Sequence, residues 1–251
     1  MKAKKASAKA LCLSSIVMAA SAHAAIVSWS VDQYGTVSTI AGVAPAANWT
    51  NTVPSGGNPY IDKTLTDLVD EGGIPTTVDI SYGSWGAWQL QSSHPGLDGD
   101  GTANKELLNG YLNAGPAAWN PSVTASSVAI SQIPYASYNL IVYFSSDQAG
   151  REGQVSAGLS TFYFSSLGAA SIAGANAVLT RATSTSTADY SGANYAVFSG
   201  LSGASQTISV QMRDNDEWGG IAGFQIVAVP EPSAALLGVV GLLAISRRRR
   251  V

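Results

Sequence analysis

Short runs of β-branched and aromatic residues recur through the middle of the chain, and each is bounded by Gly, Pro, Ser or Asn. Long stretches with apolar residues at helical spacing are absent, so the pattern is typical of an all-β protein. Strands are predicted at 25–31, 76–82, 126–131, 138–145, 153–157, 161–165, 177–182, 195–199, 206–212 and 221–228. So many short strands with turn residues between them indicate a β-sandwich or jelly roll.

Three local patterns refine this prediction. In 206–212, apolar residues alternate with polar ones, which predicts a strand with one face in the core and one in water. The nearly continuous apolar run 138–144 predicts a central strand covered on both sides, and 157–160 predicts a hairpin turn in which Gly158 has a positive φ. One short helix is expected at 105–112, with Thr102 or Asn104 as its N-cap.

The N-terminus has the three parts of a secretory signal peptide. Lysines are followed by the apolar stretch 11–20 and by a cleavage site of small residues at Ala22 and Ala24. Residues 1–24 are therefore expected to form a signal helix, cleaved after Ala24 or Ala25 by signal peptidase once the secretion machinery exports the chain. Cleavage removes Cys12, the only cysteine, so thiol chemistry and disulfides are excluded from the mature protein.

The C-terminus, 229–251, combines a Pro-Glu-Pro motif, an apolar helix at 233–246 and an arginine cluster. The uninterrupted apolar part, 234–245, would be about 18 Å long as a helix, against a hydrocarbon core of about 30 Å, which favours a transient membrane stop. The motif residues are Val229, Pro230, Glu231 and Pro232, and the cytoplasmic stop consists of Arg247, Arg248, Arg249 and Arg250.

This tail resembles the PEP-CTERM sorting signal of Gram-negative bacteria. The resemblance implies that a membrane-embedded exosortase recognises the Pro-Glu-Pro element. It further implies export through the inner membrane, a membrane-anchored precursor, and a final place at the cell surface or in the extracellular polysaccharide matrix.

The remaining residues, 25–228, number about 205 and are expected to form one domain. The whole chain has a net charge of −3, but 25–231 holds five basic and 16 acidic residues, a net charge of −11. Nucleic acid is therefore excluded as a partner, because binding it requires Lys and Arg to neutralise phosphates.

Several segments of this domain are similar to PEP-CTERM ectodomains with a galactose-binding-like jelly roll. They are IVSW at 26–29, LLNGYL at 107–112, 138–144, 195–203 and GGIAGFQIV at 219–227. The resemblance implies a β-sandwich that faces carbohydrate, and it leaves the function itself open.

Aromatic residues supply the predicted ligand site. The segment SYGSWGAWQ (81–89) holds Tyr82, Trp85 and Trp88 among small residues, and flat aromatic faces beside polar groups suit a sugar ring. The alternative is that these rings belong to the core, as we expect for the other tryptophans of the mature chain. Those are Trp29, Trp49, Trp119 and Trp218.

A catalytic constellation is not evident, and the protein is interpreted as non-enzymatic. After signal cleavage the one histidine is His94, and a Gly-x-Ser-x-Gly motif is absent. A glycoside hydrolase remains the alternative, because it needs only two suitably spaced carboxylates. The candidates are Asp98, Asp100, Glu106, Asp147, Glu152, Asp214, Asp216 and Glu217.

Two acidic segments are candidate calcium loops. Residues 98–104 begin like a calcium loop but have Ala103 where an EF-hand needs Gly. The segment 214–217 offers four oxygen ligands in succession, so it is the predicted site of a structural calcium, with an Asx-rich turn as the alternative. Its residues are Asp214, Asn215, Asp216 and Glu217.

Three classes of function remain open. The first is a non-catalytic surface or matrix protein that binds polysaccharide or builds the extracellular layer; the second is a secreted carbohydrate-active enzyme; the third is purely structural. Ice binding is a minor alternative, because Thr183, Thr185 and Thr187 would form a row on one strand. A polar loop is the simpler interpretation of that segment.

Overall fold

The structure, a computed structural model, describes residues 24–33, 35–55, 59–90, 96–114, 123–214 and 217–230. They belong to one unit, Ala24–Glu231. One sheet has five strands, all antiparallel to their neighbours except for the parallel pair at one edge. In spatial order these are β12 (Tyr195–Leu201), β8 (Tyr138–Ser146), β14 (Gly219–Ala228), β1 (Ile26–Val31) and β2 (Thr50–Thr52).

The second sheet has seven strands, again antiparallel except at one edge. Its order is β11 (Gly192–Ala193), β10 (Ser160–Ser166), β9 (Glu152–Ala157), β13 (Gln206–Met212), β7 (Ala125–Ser131), β4 (Asp79–Ser84) and β3 (Tyr60–Leu65). A small third sheet pairs β5 (Gly86–Gln89) with β6 (Gly110–Asn113).

The main hydrophobic core lies between the two large sheets. Trp29 and Phe224 of the five-stranded sheet belong to the same buried cluster as Ile80, Val128 and Val210 of the seven-stranded sheet. Ring stacking crosses the interface, because Phe144 of β8 and Phe164 of β10 have centroids 4.0 Å apart. The prediction of an all-β sandwich is confirmed.

The outer face of the five-stranded sheet is also covered. Trp49, Leu107, Tyr143 and Ala222 belong to a second buried cluster, to which the segment 37–49, the short helix and the outward side chains of β8 and β14 contribute. The strand predicted at 138–145 is therefore buried on both sides, as its continuous apolar run indicated. Beneath this cover, Gln225 is fully buried.

Two local predictions are confirmed in detail. Strand β13 spans the predicted residues, and Ile208, Val210 and Met212 are its buried side chains. The β9–β10 hairpin turns through Gly158, whose φ of 58° is the left-handed conformation that glycine adopts at little cost.

Other local predictions were wrong. The helix α1 spans only Asn104–Asn109, its N-cap is Ala103, and Gly110 leaves it in an extended conformation and begins β6. Backbone pairing with β5 decides this boundary, because apolar residues suit a helix or a strand equally well. The predicted strand 177–182 is irregular apart from an isolated bridge at Arg181, and β2 and β3 lie between 31 and 76, where no strand was predicted.

The predicted signal and sorting helices lie mostly outside the described residues. Of the predicted cleavage residues, Ala24 and Ala25 are described, and of the sorting motif Val229 and Pro230 are described. Among the helices in the described ranges, none is long and apolar enough to cross a membrane.

Candidate functional site

A sharp bend at the end of β4 carries the chain out of the seven-stranded sheet and into β5. The buried Ser84 hydroxyl donates to the Gly86 carbonyl at 2.7 Å and thereby stabilises the bend. The Trp85 backbone N–H donates to the Asn113 carbonyl at 3.0 Å, so Trp85 is held beside the end of β6. The bend thus presents Trp85 and Trp88 at one end of the sandwich.

At this end of the sandwich the structure has a cavity of about 450 Å³, here called the tryptophan cavity. Its described lining residues are Trp85, Ala87, Trp88, Asn113, Asp147 and Trp218. Trp85 and Trp218 meet edge to face with centroids 5.3 Å apart, while Trp88 is 52% exposed. A cavity of this size, with mostly aromatic walls and a few polar groups, has the composition of a small-molecule binding site.

Two glycines after Trp218 allow the cavity to form. A Cβ atom on Gly220 would lie 1.8 Å from the Leu112 carbonyl oxygen, so only glycine permits this approach of β14 to β6. The Ala114 N–H then donates to the Gly219 carbonyl at 2.7 Å. This contact joins the end of β6, which carries Asn113, to the start of β14, which follows Trp218.

Polar groups on the cavity wall have unused hydrogen-bonding capacity. Asn113 is only 4% exposed, and its Oδ1 is buried without a hydrogen-bond partner among the described residues. A buried amide oxygen without a partner is unfavourable, so a hydroxyl or amine that reached it through a small opening of the wall would be stabilised. Asn113 therefore adds a polar side chain to the cavity wall.

An ion pair borders the same cavity. Arg151 Nε lies 2.9 Å from Asp147 Oδ1, and Nη2 donates to Oδ2 at 3.1 Å, so the two groups form a close ion pair with one hydrogen bond. Burial raises the pKa of Asp147 above its usual range, although the Arg151 charge acts in the opposite direction. Burial also raises the pKa of the Tyr111 hydroxyl, and the negative charge of Asp147 raises it further. The Asp147 carboxylate is therefore a positioned acceptor in a partly dry environment.

Glu217, which precedes Trp218, is a second partly buried carboxylate in this region. Burial is the main cause of its raised pKa, Arg151 lowers the pKa, and the charge of Asp214 raises it. Its Oε2 has no hydrogen-bond partner among the residues described. Asp147 and Glu217 are thus two carboxylates influenced by the same guanidinium group, and both hold a proton more strongly than an exposed side chain does.

The structure brings together only part of the predicted ligand site. Trp85 and Trp88 line the cavity, but Tyr82 is 5% exposed and packs against Trp29 in the core, with centroids 5.9 Å apart. Trp29 and Trp49 are buried as expected, whereas Trp218 is only partly buried and lines the cavity, so its assignment to the core was wrong. Trp119 and His94 lie outside the described residues.

Sequence analysis did not assign three of the lining residues to the ligand site: Asn113 was not considered, Asp147 was one of eight candidate carboxylates, and Trp218 was expected in the core. The available signal for Trp218 was its position immediately before Gly219 and Gly220, a glycine pair that marks close backbone approach. Asn113 and Asp147 carry no comparable signal, because each enters the site through the pairing of strands remote in sequence.

The predicted calcium residues are only partly described. Asp214 is exposed and Glu217 is partly buried, whereas Asn215 and Asp216 lie outside the described residues. In the described ranges no group of three or more His, Cys, Asp or Glu side chains is arranged to hold a metal. Calcium binding at 214–217 stays a prediction, and thermal unfolding with and without chelator tests it.

The other motifs lie elsewhere. Both Asp98 carboxylate oxygens accept from the Thr102 hydroxyl at 2.6 Å, so that segment forms an Asx-type turn before α1. Thr183, Thr185 and Thr187 are exposed and lie outside the strands of the structure. Comparison with family models, curated proteins and solved structures found no match to this chain, so the tryptophan cavity is the main basis for a functional conclusion.

Proposed function

We propose that the mature protein binds polysaccharide, without catalysis, at the tryptophan cavity. The observation that carries this proposal is the combination of three tryptophans with Asn113 and Asp147 in one cavity. Sugar rings have apolar CH faces that pack on indole, and hydroxyl groups that donate to amide and carboxylate oxygens. In the cavity wall, the tryptophan rings suit the CH faces of a sugar, and the polar side chains of Asn113 and Asp147 suit its hydroxyl groups.

The proposed location is the cell surface or the extracellular matrix of a Gram-negative bacterium. It is supported by the signal peptide pattern at 1–24 and by the tail that resembles a PEP-CTERM sorting signal. Processing would involve signal peptidase and an exosortase, with a transient anchored precursor. A binder of extracellular polysaccharide would be delivered by such a route to the layer that contains its ligand.

The proposed jelly-roll arrangement is the finer description of the sandwich. It is supported by the repeated crossing of the chain between the two sheets from β7 to β14. Jelly rolls commonly present ligand sites at loops and sheet ends, but function is argued from the site and not from the fold.

A glycan-array screen of the purified protein tests the proposal, followed by titration of any ligand monitored through tryptophan fluorescence. Trp88→Ala should weaken binding about tenfold, because one aromatic contact of about 1.4 kcal/mol is lost. Trp88 is half exposed, so its removal should leave the fold intact. Leu159→Ala, at the exposed β9–β10 turn, is the matched control and should bind normally. Unchanged affinity in Trp88→Ala would contradict the assignment of the site.

A glycoside hydrolase is the second candidate, favoured by the raised pKa values of Asp147 and Glu217. A carboxylic acid with a raised pKa keeps its proton to a higher pH and can act as a general acid towards a glycosidic oxygen. Release of reducing ends from bound oligosaccharide, abolished in Glu217→Gln, would establish this activity. Stable binding of intact oligosaccharide over prolonged incubation would exclude it for that ligand.

A further inference from the structure

Arg151, which borders the tryptophan cavity, and Arg213, which lines a separate groove with Tyr190, both have acidic partners. Arg151 forms the ion pair with Asp147. Arg213 is hydrogen-bonded to Glu152, and its guanidinium carbon lies 5.0 Å from the centroid of the Tyr190 ring. Neither guanidinium group is therefore available to attract an anionic ligand without first giving up a carboxylate.

Acidic groups in the same region exceed the basic ones. Glu217 and Asp214 follow Arg213 closely in sequence, and within the described ranges neither carboxylate takes part in an ion pair. The effect of Asp214 on the pKa of Glu217 indicates that the two charges interact. The region therefore has a local negative charge, in agreement with the acidic balance of 25–231.

The cavity wall combines this charge with aromatic rings. The Asp147 side chain is 27% exposed, and its Oδ2 accepts one hydrogen bond from Arg151, so this oxygen can accept a further donor. Trp85, Trp88 and Trp218 supply the rings, and the face of an indole attracts a cation more strongly than that of the other aromatic side chains. Aromatic rings with a carboxylate are the usual surroundings of a bound organic cation.

We infer that the saccharide bound in the tryptophan cavity carries a protonated amine, as in an amino sugar without its acetyl group. This inference rests on the proposed polysaccharide-binding function and names its ligand class. The ammonium group would interact with Asp147 and the tryptophan faces. A uronic acid would bring a second anion beside Asp147 and Glu217 and would be repelled.

The test compares four β-1,4-linked disaccharides by fluorescence titration of the purified protein. They are the glucosamine disaccharide, its N-acetylated form, cellobiose, and a glucuronate disaccharide. The amine should bind about tenfold more tightly than cellobiose at low ionic strength, and added salt should reduce this ratio. Equal binding of cellobiose, or stronger binding of the uronate, would overturn the inference while leaving a saccharide site in place. Absence of binding in this set and in the glycan array would overturn the proposed function as well.

Two variants locate the effect. Asp147→Asn should reduce the preference for the amine over cellobiose to about one, without abolishing cellobiose binding. Because Asp147→Asn leaves Arg151 without its partner, Glu217→Gln is the second variant and should lower the preference about threefold. Asp67→Asn is the charge-matched control, because Asp67 is exposed and its backbone N–H donates to Asp79 Oδ1 at the start of β4, about 17 Å along that strand from its Trp85 end. Full preference retained in both test variants would overturn the inference.

Discussion

Replacing Gly220 by alanine should separate β14 from β6. The new Cβ atom would lie 1.8 Å from the Leu112 carbonyl oxygen and 2.6 Å from Ser126 Oγ, whereas real Cβ contacts are essentially never shorter than 3.0 Å. The strands must therefore move apart by more than 1 Å at this point. Backbone atoms form the closest contact, so a change of side-chain rotamer cannot relieve it.

The expected loss of stability follows from the contacts at this point. Ala114 N–H to Gly219 O at 2.7 Å and Ile221 N–H to Ser126 Oγ at 3.1 Å would both lengthen or break. Two hydrogen bonds contribute about 1 kcal/mol each, and residual strain adds about 1 to 3 kcal/mol. The free energy of unfolding should fall by about 3 to 5 kcal/mol, and the urea midpoint by about 1 M or more.

Urea denaturation monitored by far-ultraviolet circular dichroism measures this change. Gly83→Ala is the matched control, because a Cβ on Gly83 meets its nearest described neighbours at an ordinary 3.6 Å. This control should be neutral or slightly stabilising, since alanine lowers the entropy of the unfolded chain. A free energy of unfolding of Gly220→Ala within about 0.5 kcal/mol of that of the control would contradict this prediction. The strands β6 and β14 would then not approach each other as closely as the structure indicates.

Three further outcomes are expected. Burial raises the pKa of Glu217, so the protonated side chain contributes to stability below the pKa that it has in the unfolded chain. This contribution is lost as the pH rises through its pKa in the folded protein. Urea unfolding should therefore show that the free energy of unfolding of Glu217→Gln increases relative to that of the wild type between about pH 3.5 and pH 7. Phe164→Ala removes the ring stacked on Phe144 between the sheets and should cost about 3 to 5 kcal/mol in thermal unfolding. Gln225→Leu removes the amide that donates to Ala44 O at 2.7 Å, so amide exchange in 42–46 should accelerate while exchange in the sheet strands stays slow.

Elements with an internal pattern could be predicted from sequence. Alternation along 206–212 identified β13 and its buried face, and Gly158 identified the β9–β10 turn, because both signals depend on neighbouring residues. The helix was predicted too long at its C-terminal end, because Tyr111 and Leu112 fit an apolar helix face as well as a strand. Their pairing with β5, more than 20 residues earlier, is not a local property.

The cavity shows the same division. The spacing of Trp85 and Trp88 among small residues indicated an exposed aromatic segment, and both line the site. Asn113, Asp147 and Trp218 could not be assigned to one site, since their segments meet only where β6 and β8 end and β14 begins.

The amino-acid sequence by itself determined the all-β class, the acidity of 25–231 and the features of the two termini that predict export and sorting, because these depend on composition and local order. Tertiary structure decided which aromatic residues are core and which line a cavity. Tyr82 and Trp85 are three residues apart, yet one packs on Trp29 and the other contacts Trp218, because the chain bends at Ser84. Long-range strand pairing sets the direction of each side chain, and it therefore creates the candidate site.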